Sequence, residues 1–384
     1  MFNDVLKNIS TYRYIKLSKY RERKKYSDKR RKKIYQSVSL TTEQKEKIDA
    51  LYKHHYGRKI PYIWHQHFTA FTGNFDENYI PELLYIPEFE RFMNYEAPFV
   101  RVFTNKNIIP YVATAAGIKT PKVYYKKIAD IYEDSYGNIV DEDCIIENLK
   151  NAGELFIKPS VDSSSGSRCY LMNLQDGFDK ISRKNIKDII NIYAKDFVIQ
   201  ERIRCEKTIA NIYPNAVNTF RVITYRWKDR IEVCPVIMRI GRGGSNVDNA
   251  HAGGMFIAIN DDGKLHDTAF TEFNDRFSTH PDTGVVFSDY KINGFERVID
   301  AAKKMHAYLP QIGVFNWDFT IDENTNPVLI EANINGGSIW LIQMAHGKGV
   351  FGNNTKEVLK WIGFMEKIPA SMWSKYSYGK MKEK

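Results

Sequence analysis

Two apolar stretches near the C-terminal end of the chain, GVFNWDFTID and PVLIEANINGG, are separated by the short polar sequence ENTN. Their alternation of apolar and polar residues predicts two buried strands joined as a hairpin. Asp318 in the first stretch and Glu331 and Asn333 in the second interrupt the apolar pattern. Because a buried carboxylate is costly unless it is paired or bound to a cation, these residues need specific partners.

The oxygen atoms of Asp318, Glu331 and Asn333 are the hard donors that Mg²⁺ prefers when it bridges the phosphates of a nucleotide. A hairpin would bring the three side chains to the ends of adjacent strands. We therefore expect these residues to be metal ligands.

The composition is that of a folded protein with a sizeable core. Its 384 residues are enough for two or three domains, and 43% of them are hydrophobic. No apolar run approaches the roughly 20 residues that cross a bilayer. The four cysteines never form a CxxC pair, which argues against a disulfide framework or a zinc ribbon and favours a reducing cytoplasm.

All of the excess positive charge lies in an N-terminal arm. Residues 1–34 contain 13 Lys or Arg and three acidic residues, which equals the net charge of +10 for the whole chain. Such an arm could be a solvated helix or mobile tail without a partner, could bind anionic lipid at about 1 kcal/mol per cation, or could bind nucleic acid. The neutral charge of the remaining chain argues against nucleic acid, since nucleic-acid-binding domains usually carry basic surface on the folded body.

Two stretches in the middle of the chain have features of a nucleotide site. In FIKPSVDSSSGSRCYL, Lys158 lies within an apolar strand and precedes a loop that contains Ser164, Ser165 and Gly166. A lysine followed by small residues whose backbone N–H groups wrap phosphate oxygens resembles a phosphate-binding loop, although the GxxxxGK[ST] order of a Walker A motif is absent.

The second stretch, DFVIQERI, reads as a strand that ends at Gln200, Glu201 and Ile203. Backbone groups at the end of an exposed strand could recognise the edge of adenine, and an acidic side chain could accept from its amino group. Arg221 and Arg239 follow on successive predicted strands, where their guanidinium groups could stabilise a transferring phosphoryl group.

The order of these features along the chain resembles that of an ATP-grasp enzyme. The order is the lysine, the Ser/Gly loop, the Gln-Glu strand end, the paired arginines, the aspartate and the ExN sequence. Lys106 in FTNKNIIPYVATAAGIKTPK matches the second nucleotide lysine of that superfamily. Within the superfamily, WHQHFTAFTGNFDENYIPELLYIPEFERFMN is similar to the front end of the sugar-transfer associated ATP-grasp proteins of surface-polysaccharide gene clusters. The second half is also similar to ribosomal-protein glutamate ligases.

The resemblance implies an α+β fold in which a small lid domain closes on a mixed-sheet core, with an N-terminal helical extension. It predicts a basic arm at 1–40, an N-terminal domain at 41–116, a lid at 117–202 and a core domain with the metal site at 203–384. Where D-alanine:D-alanine ligases have an arginine two residues before the metal aspartate, this chain has Asn316.

The resemblance also implies a reaction. ATP and Mg²⁺ would be bound by the residues above, with Lys106 and Lys158 on the α- and β-phosphates. A substrate carboxylate would become an acylphosphate beside Arg221 and Arg239, and an amine would then displace phosphate. The expected substrates are a carboxylate-bearing sugar or glycan precursor, such as a uronic acid, and an amine.

Two alternatives remain open at this point: a kinase that phosphorylates a sugar or lipid-linked glycan hydroxyl, and a non-catalytic adaptor with a basic arm. We expect a cytoplasmic protein whose residues 1–34 could contact an anionic membrane, with no nucleic-acid partner. His65 and His67 would share one face of a strand, which suits either a metal or, as we favour, packing and hydrogen bonding.

Overall fold

The structure is a computed structural model that describes residues 2–95, 101–160, 169–193 and 196–381. It is an α+β protein with two sheets, as expected. The principal helices are α1 (Phe2–Lys25), α2 (Lys29–Gln36), α3 (Thr42–His55), α4 (Ile63–Thr72), α5 (Glu82–Leu84), α6 (Arg91–Met93), α7 (Ile109–Ala115), α8 (Glu142–Leu149), α9 (Ile186–Asn191), α10 (Lys207–Ile212), α11 (Phe295–Ala307), α12 (Trp340–His346) and α13 (Thr355–Met365). A π-helical turn, Tyr85–Glu90, joins α5 to α6. None of the described helices combines the length and the apolar character needed to cross a membrane.

The first sheet lies within the range predicted for the lid. Its strands are β1 (Val123–Ile128), β2 (Ile131–Asp134), β3 (Ile139–Val140), β4 (Gly153–Pro159), β5 (Tyr170–Gln175), β6 (Phe178–Asp179) and β7 (Phe197–Glu201). They form a seven-stranded sheet in the order β3-β2-β1-β7-β4-β5-β6. Ile145, Ile189 and Phe197 are fully buried in its own small core, so this sheet packs with α8 and α9 as a unit.

The second sheet forms the larger part of the core. Its strands are β8 (Thr219–Trp227), β9 (Arg230–Val233), β10 (Val236–Ile240), β11 (Met255–Ile259), β12 (Ala269–Phe270), β13 (Arg276–Phe277), β14 (Val314–Ile321) and β15 (Pro327–Asn333). The order is β13-β12-β11-β10-β8-β14-β15, with β9 paired to β8. We expected a mixed core sheet, but the strand pairs of this sheet in the described chain are antiparallel. One parallel bridge in the described chain joins Val328 to Lys119, which lies outside the named strands.

The two faces of the eight-stranded sheet have different environments. One face carries Phe220, Val222 and Trp317, which are fully buried in a core with the apolar side of α11. On the other face, Ile223 and Tyr225 pack against the N-terminal helices. Because side chains alternate along a strand, Thr219 and Arg221 share this second face, at the end of β8 where the apolar packing stops. The fold therefore leaves a polar region at one end of an otherwise apolar face.

The basic arm is folded onto the body as α1 and α2, so the alternative of a mobile tail is wrong for the described residues, while contact of the exposed face with an anionic membrane stays a prediction. Tyr26 and Ile34 are buried in the main hydrophobic core. Lys19 contacts the buried carboxylate of Glu88, and the side-chain oxygen of Asn8 accepts a hydrogen bond from the backbone of residue 370 at 2.8 Å. Tyr12 and Tyr20 point outward and are 68% and 62% exposed. The arm thus contributes one side to the core and one side to the surface.

Local sequence signals explain several element boundaries. The TTEQ sequence predicts a helix that begins at Thr41 or Thr42, because an N-cap hydroxyl is followed by acidic and amide residues, and Thr41 does cap α3 through a capping box with Gln44. Gly294 precedes α11 in a left-handed conformation, which glycine adopts without a steric penalty. The predicted hairpin is confirmed as β14 and β15, and Asp318 pairs directly with Glu331 across it.

Candidate active site

A cleft lies between the two sheets, and most of the predicted site residues line it. The seven-stranded sheet supplies one wall from β4 and β7, and the eight-stranded sheet supplies the other from β8, β10, β14 and β15. The predicted residues that line the cleft are Lys106, Lys158, Gln200, Glu201, Ile203, Arg239, Asp318 and Glu331. Ser164, Ser165 and Gly166 lie outside the described residues, so the phosphate-binding loop stays a prediction.

Asp318 is the centre of the charged cluster. Its Oδ1 accepts from Nε of Arg221 at 2.6 Å and its Oδ2 from Nη2 of Arg221 at 3.2 Å. Nη2 of Arg239 lies 3.0 Å from the same Oδ2. Burial by itself would raise the pKa of Asp318, but the two guanidinium groups outweigh burial and lower the pKa. The paired arginines therefore meet on Asp318, the predicted metal ligand, and their contact with a transferring phosphoryl group stays a prediction.

A second carboxylate, Asp248, holds Arg239 in place, and sequence reasoning missed it. Arg239 donates from Nε and Nη2 to Oγ1 of Thr219 at 3.0 and 2.7 Å. The Thr219 hydroxyl and backbone N–H in turn donate to Oδ2 of Asp248 at 2.5 and 2.9 Å. Asp248 lies in the loop SNVDNAHAGG, and polarity is the only feature of this sequence that could have indicated a site residue. The position of the loop beside β8 depends on long-range packing.

The two predicted nucleotide lysines lie on the opposite side of the cleft. Nζ of Lys106 is 2.9 Å from Oε1 of Glu331, and the backbone N–H of Lys106 donates to the carbonyl of Ser160 at 2.9 Å. Lys158 is 5% exposed, and its Nζ lies 3.5 Å from the carbonyl oxygen of Ile330. Burial, followed by repulsion from Lys106, lowers the pKa of Lys158 to about 8.

The predicted adenine-binding strand end differs from expectation in one respect. Strand β7 is not at an edge, because it pairs with both β1 and β4. The Glu201 side chain accepts from the backbone N–H of Lys122 at 2.8 Å, so it already has a donor. The backbone N–H and C=O groups that could bind an adenine base are therefore those of the residues after Glu201. Phe156, Ile203 and Ile330 supply apolar lining to the same cleft, a suitable surface for a planar base.

The predicted metal ligands lie on one face of the hairpin. Asp318 pairs with Glu331 and Asn316 pairs with Asn333, so all four side chains share that face. Asn316 is fully buried, and neither its Oδ1 nor its Nδ2 has a hydrogen-bond partner among the described residues. Two carboxylates and an amide oxygen suit Mg²⁺, and the orphaned amide adds a further oxygen. These residues therefore fit the implied metal, although Asp318 and Glu331 are paired with cations here.

The remaining candidate residues have structural partners. His65 and His67 lie in α4 and not in a strand, and both are fully buried. Nε2 of His65 contacts the carbonyl oxygen of Glu77 at 3.1 Å, and His67 packs edge-on against Tyr26. Over the part of the chain that is described, no group of three His, Cys, Asp or Glu side chains could hold a metal ion. The sequence favoured packing and hydrogen bonding over metal binding for these histidines, and this prediction is confirmed for His65.

The two-sheet architecture and the charged cleft between the sheets define an ATP-grasp protein. The chain belongs to the sugar-transfer associated ATP-grasp family, whose model matches residues 86–359. A comparison with curated proteins found no match.

Several solved enzyme structures are similar to this chain at low sequence identity. N5-carboxyaminoimidazole synthase from Aspergillus clavatus, in complex with ADP, is 11% identical over 62% of this chain and 46% of its own, with a TM-score of 0.37. L-amino acid ligase from Bacillus licheniformis is 13% identical over 67% and 48%, with a TM-score of 0.37. D-alanine-D-alanine ligase from Helicobacter pylori is 14% identical over 70% and 59%, with a TM-score of 0.38. The matches thus span about half the length of these relatives.

Proposed function

We propose that the protein is an ADP-forming ligase that uses ATP to join a carboxylate to an amine. The observation that carries the proposal is the meeting of Arg221 and Arg239 on Asp318 in a cleft that also contains Lys106 and Lys158. The cleft is lined by four cations, Lys106, Lys158, Arg202 and Arg239, and by four carboxylates, Glu201, Asp248, Asp318 and Glu331. Cations that converge with carboxylates in one cleft suit the binding and transfer of phosphoryl groups, because the cations can contact phosphate oxygens while the carboxylates hold a metal ion.

The side chains divide into binding and stabilising groups. Lys106 and Lys158 would hold the α- and β-phosphates of ATP, while Asp318, Glu331 and Asn333 would hold Mg²⁺. When bound, the metal would supply charge neutralisation at the β- and γ-phosphates. The described residues leave a cavity of about 110 Å³, smaller than the roughly 300 Å³ of typical ligand pockets. Binding of ATP would therefore require the cleft to widen.

The proposed chemistry needs no nucleophilic side chain. An oxygen of the substrate carboxylate attacks the γ-phosphorus, the bond from that phosphorus to the β–γ bridging oxygen breaks, and ADP leaves. Arg221 and Arg239 would stabilise the charge on the transferring group. The amine then attacks the acyl carbon, and inorganic phosphate leaves with the electron pair of the acyl C–O bond. Exclusion of water from the cleft would protect the acylphosphate from hydrolysis.

The family description, sugar-transfer associated, supports a sugar-containing substrate, and the carboxylate on that sugar is part of our proposal. We place the enzyme in surface-polysaccharide biosynthesis in the cytoplasm, acting on a uronic acid or a similar carboxylate of a glycan precursor. Scattered unpaired cysteines agree with a reducing compartment.

The test is ADP and phosphate release from panels of uronic acids and amines, with Lys158→Met as the inactive control. A ligase requires both substrates, and hydroxylamine should trap its acylphosphate as a hydroxamate. Phosphate that stays on the sugar product, formed without an amine, would contradict the ligase and identify a kinase on the same scaffold.

A further inference from the structure

The outer side of helix α1 carries large apolar and basic side chains together. Residues three or four positions apart share one side of a helix, and six exposed residues of α1 follow that spacing within an arc of about 100°. They are Ile9, Arg13, Lys16, Leu17, Tyr20 and Lys24. We call this stripe the arm face. Three of its six side chains are cations and none is acidic.

The opposite side of α1 is packed against the body. Thr11, Ser18 and Glu22 are buried, and the helix lies on α5 and on the π-helical turn that precedes α6. Lys19 contacts the buried Glu88 of that turn. These contacts fix the rotation of α1 about its own axis, so the arm face points away from the body in the folded protein.

The apolar side chains of the arm face belong to a cluster. Exposed hydrophobic residues that are scattered singly over a protein need no partner. In α1, five large hydrophobic side chains are exposed within residues 9–20. They are Ile9, Tyr12, Tyr14, Leu17 and Tyr20. A helix that buries the small Thr11 and Ser18 while it exposes Leu17 and Tyr20 indicates an interaction surface.

The cations of the arm face have no ion-pair partner among the described side chains. Four other cations of the arm do form ion pairs there, and none of the four lies on the arm face. They are Lys19, Lys25, Arg30 and Arg31. Arg13, Lys16 and Lys24 form no ion pair in the described part of the chain. The charge of the arm face is therefore available to an external anion.

We propose that the arm face binds the surface of an anionic membrane, with α1 lying parallel to the membrane plane. Helices that present apolar and basic side chains together bind at the boundary between lipid headgroups and acyl chains. The cations of the arm face contact lipid phosphates, and each adds to the attraction near the surface. Leu17 and Tyr20 enter the boundary, while the long stems of Arg13 and Lys16 lie beside them. This surface does not depend on the ligase function proposed above.

Two other partners satisfy only part of the arm face. A nucleic acid presents phosphates to the cations, but it would leave Ile9 and Leu17 in water. A second copy of the chain would bring one arm face against another, and cations without acidic neighbours repel each other. A lipid surface, in contrast, satisfies both the charged and the apolar side chains.

Helix α1 is formed before it meets a membrane. A disordered basic segment that folds on binding loses conformational entropy at that moment, whereas the contacts of Lys19 and of the buried residues already hold α1 in place. Vesicle binding should therefore leave the helix content unchanged, as measured by far-ultraviolet circular dichroism. A rise in helix content on binding would contradict a preformed surface.

The experiment measures partitioning of the full chain onto vesicles of phosphatidylcholine, with and without an equimolar share of phosphatidylglycerol. Arg13→Gln/Lys16→Gln removes two cations of the arm face. Leu17→Gln/Tyr20→Gln removes two of its apolar side chains.

The matched controls remove the same kinds of side chain elsewhere. Lys303→Gln/Lys304→Gln removes two exposed cations of α11, which packs on the opposite face of the eight-stranded sheet from the N-terminal helices. Tyr136→Gln/Ile139→Gln removes two exposed hydrophobic side chains at the β2–β3 hairpin of the seven-stranded sheet.

We expect each arm-face variant to lower the partition coefficient on anionic vesicles by about tenfold or more, and each control to change it by less than about threefold. All of the changed positions are exposed, so the melting temperatures should stay near that of the unaltered protein. If a double variant melts lower, the single variants Lys16→Gln and Tyr20→Gln keep the test, with an expected loss of about threefold or more each.

Three results would overturn the proposal. Losses in the controls equal to those in the arm-face variants would indicate diffuse attraction. Full binding by Leu17→Gln/Tyr20→Gln would exclude contact with the lipid boundary. No binding of the unaltered protein to anionic vesicles, together with binding of duplex DNA that Arg13→Gln/Lys16→Gln abolishes, would assign the arm face to nucleic acid instead.

Discussion

Arg221 and Asp318 lie directly opposite each other on β8 and β14, and Nε of the arginine is 2.6 Å from Oδ1 of the aspartate. Arg239 reaches the other oxygen of the same carboxylate from β10. The two arginines differ in their surroundings, since the side chain of Arg221 is 15% exposed and that of Arg239 is 9% exposed and also bonded to Thr219. Their replacement should therefore separate catalysis from stability.

The first prediction concerns these two arginines. Arg221→Met and Arg239→Met should each lower kcat by about 10² to 10³, the typical loss of one electrostatic stabiliser. Arg239→Met should also lower the melting temperature more, because Asp248 and Thr219 lose their partner and breaking a buried pair costs about 3 to 5 kcal/mol. ADP release and thermal melting measure the two effects, with exposed Arg230→Met as the control. Equal melting temperatures for the two variants would contradict the distinction.

The second prediction concerns the proposed metal ligands. Glu331→Gln should retain the fold, because Glu331 lies partly exposed at the cleft, but it removes one charge from the metal site. We expect a loss of about 2 to 4 kcal/mol of transition-state stabilisation, read as a lower kcat/KM at saturating Mg²⁺. Glu323→Gln, in the exposed turn of the same hairpin, is the matched control. Turnover in Glu331→Gln equal to that of the control would remove Glu331 from the site.

The third prediction concerns the pH dependence of nucleotide binding. Burial and the neighbouring Lys106 lower the pKa of Lys158 to about 8, so its ammonium group loses its proton as the pH rises through that value. Because the charged form attracts phosphate, the affinity for ADP should fall between about pH 7 and pH 9. Calorimetry at both values measures the change. In Lys158→Met, which has no titrating group at this position, the affinity should be lower and the decline smaller; an equal decline would assign it to another group.

The fourth prediction concerns Glu90, which holds the loop after the proposed metal strand. Its two oxygens accept from the backbone N–H groups of Gly336 and Gly337 at 2.6 and 2.7 Å. Burial raises the pKa of Glu90 to about 8, although these hydrogen bonds oppose the rise. Between its ordinary pKa of 4.5 and this value, the folded state keeps a proton that the unfolded state has lost.

Stability should consequently fall as the pH rises through this window, by up to about 1.4 kcal/mol per pH unit from this group. Glu90→Gln cannot titrate and should show a shallower decline, measured by urea unfolding at several pH values. Exposed Glu46→Gln should keep the original slope. A slope in Glu90→Gln as steep as in the control would mean that the carboxyl group is ionised in the folded protein throughout this range.

The fifth prediction concerns the arm as a folded element. A chain that begins at Thr41 lacks Tyr26, Ile34 and Leu40, which are all buried in the main core. Loss of one large buried side chain costs about 3 to 5 kcal/mol, so this shortened chain should melt well below the full protein or aggregate. Circular dichroism and size-exclusion chromatography test this. Unchanged melting of a monomeric shortened chain would show that the arm is dispensable for the fold.

Features that depend on neighbours in the chain follow from the amino-acid sequence alone. Alternation of apolar residues gave the hairpin that contains Asp318 and Glu331, and the TTEQ sequence gave the start of α3. The ordered set of motifs, which resembles one superfamily, also singled out Lys106, Lys158 and Arg239, and these three residues line the cleft. These signals are local, or are carried by order along the chain, and they do not depend on how distant segments pack.

The pairing of charged residues, in contrast, depends on the three-dimensional fold. Arg221 and Asp318 are 97 residues apart, and Arg31 and Glu272 are 241 residues apart. A run of cations such as that of the arm has the same local pattern whether it is solvated or packed, and its state depends on the surface it meets. The burial of Tyr26 and Arg31, the support of Arg239 by Asp248 and the interior position of β7 all follow from long-range packing, which desolvates these groups and selects their partners.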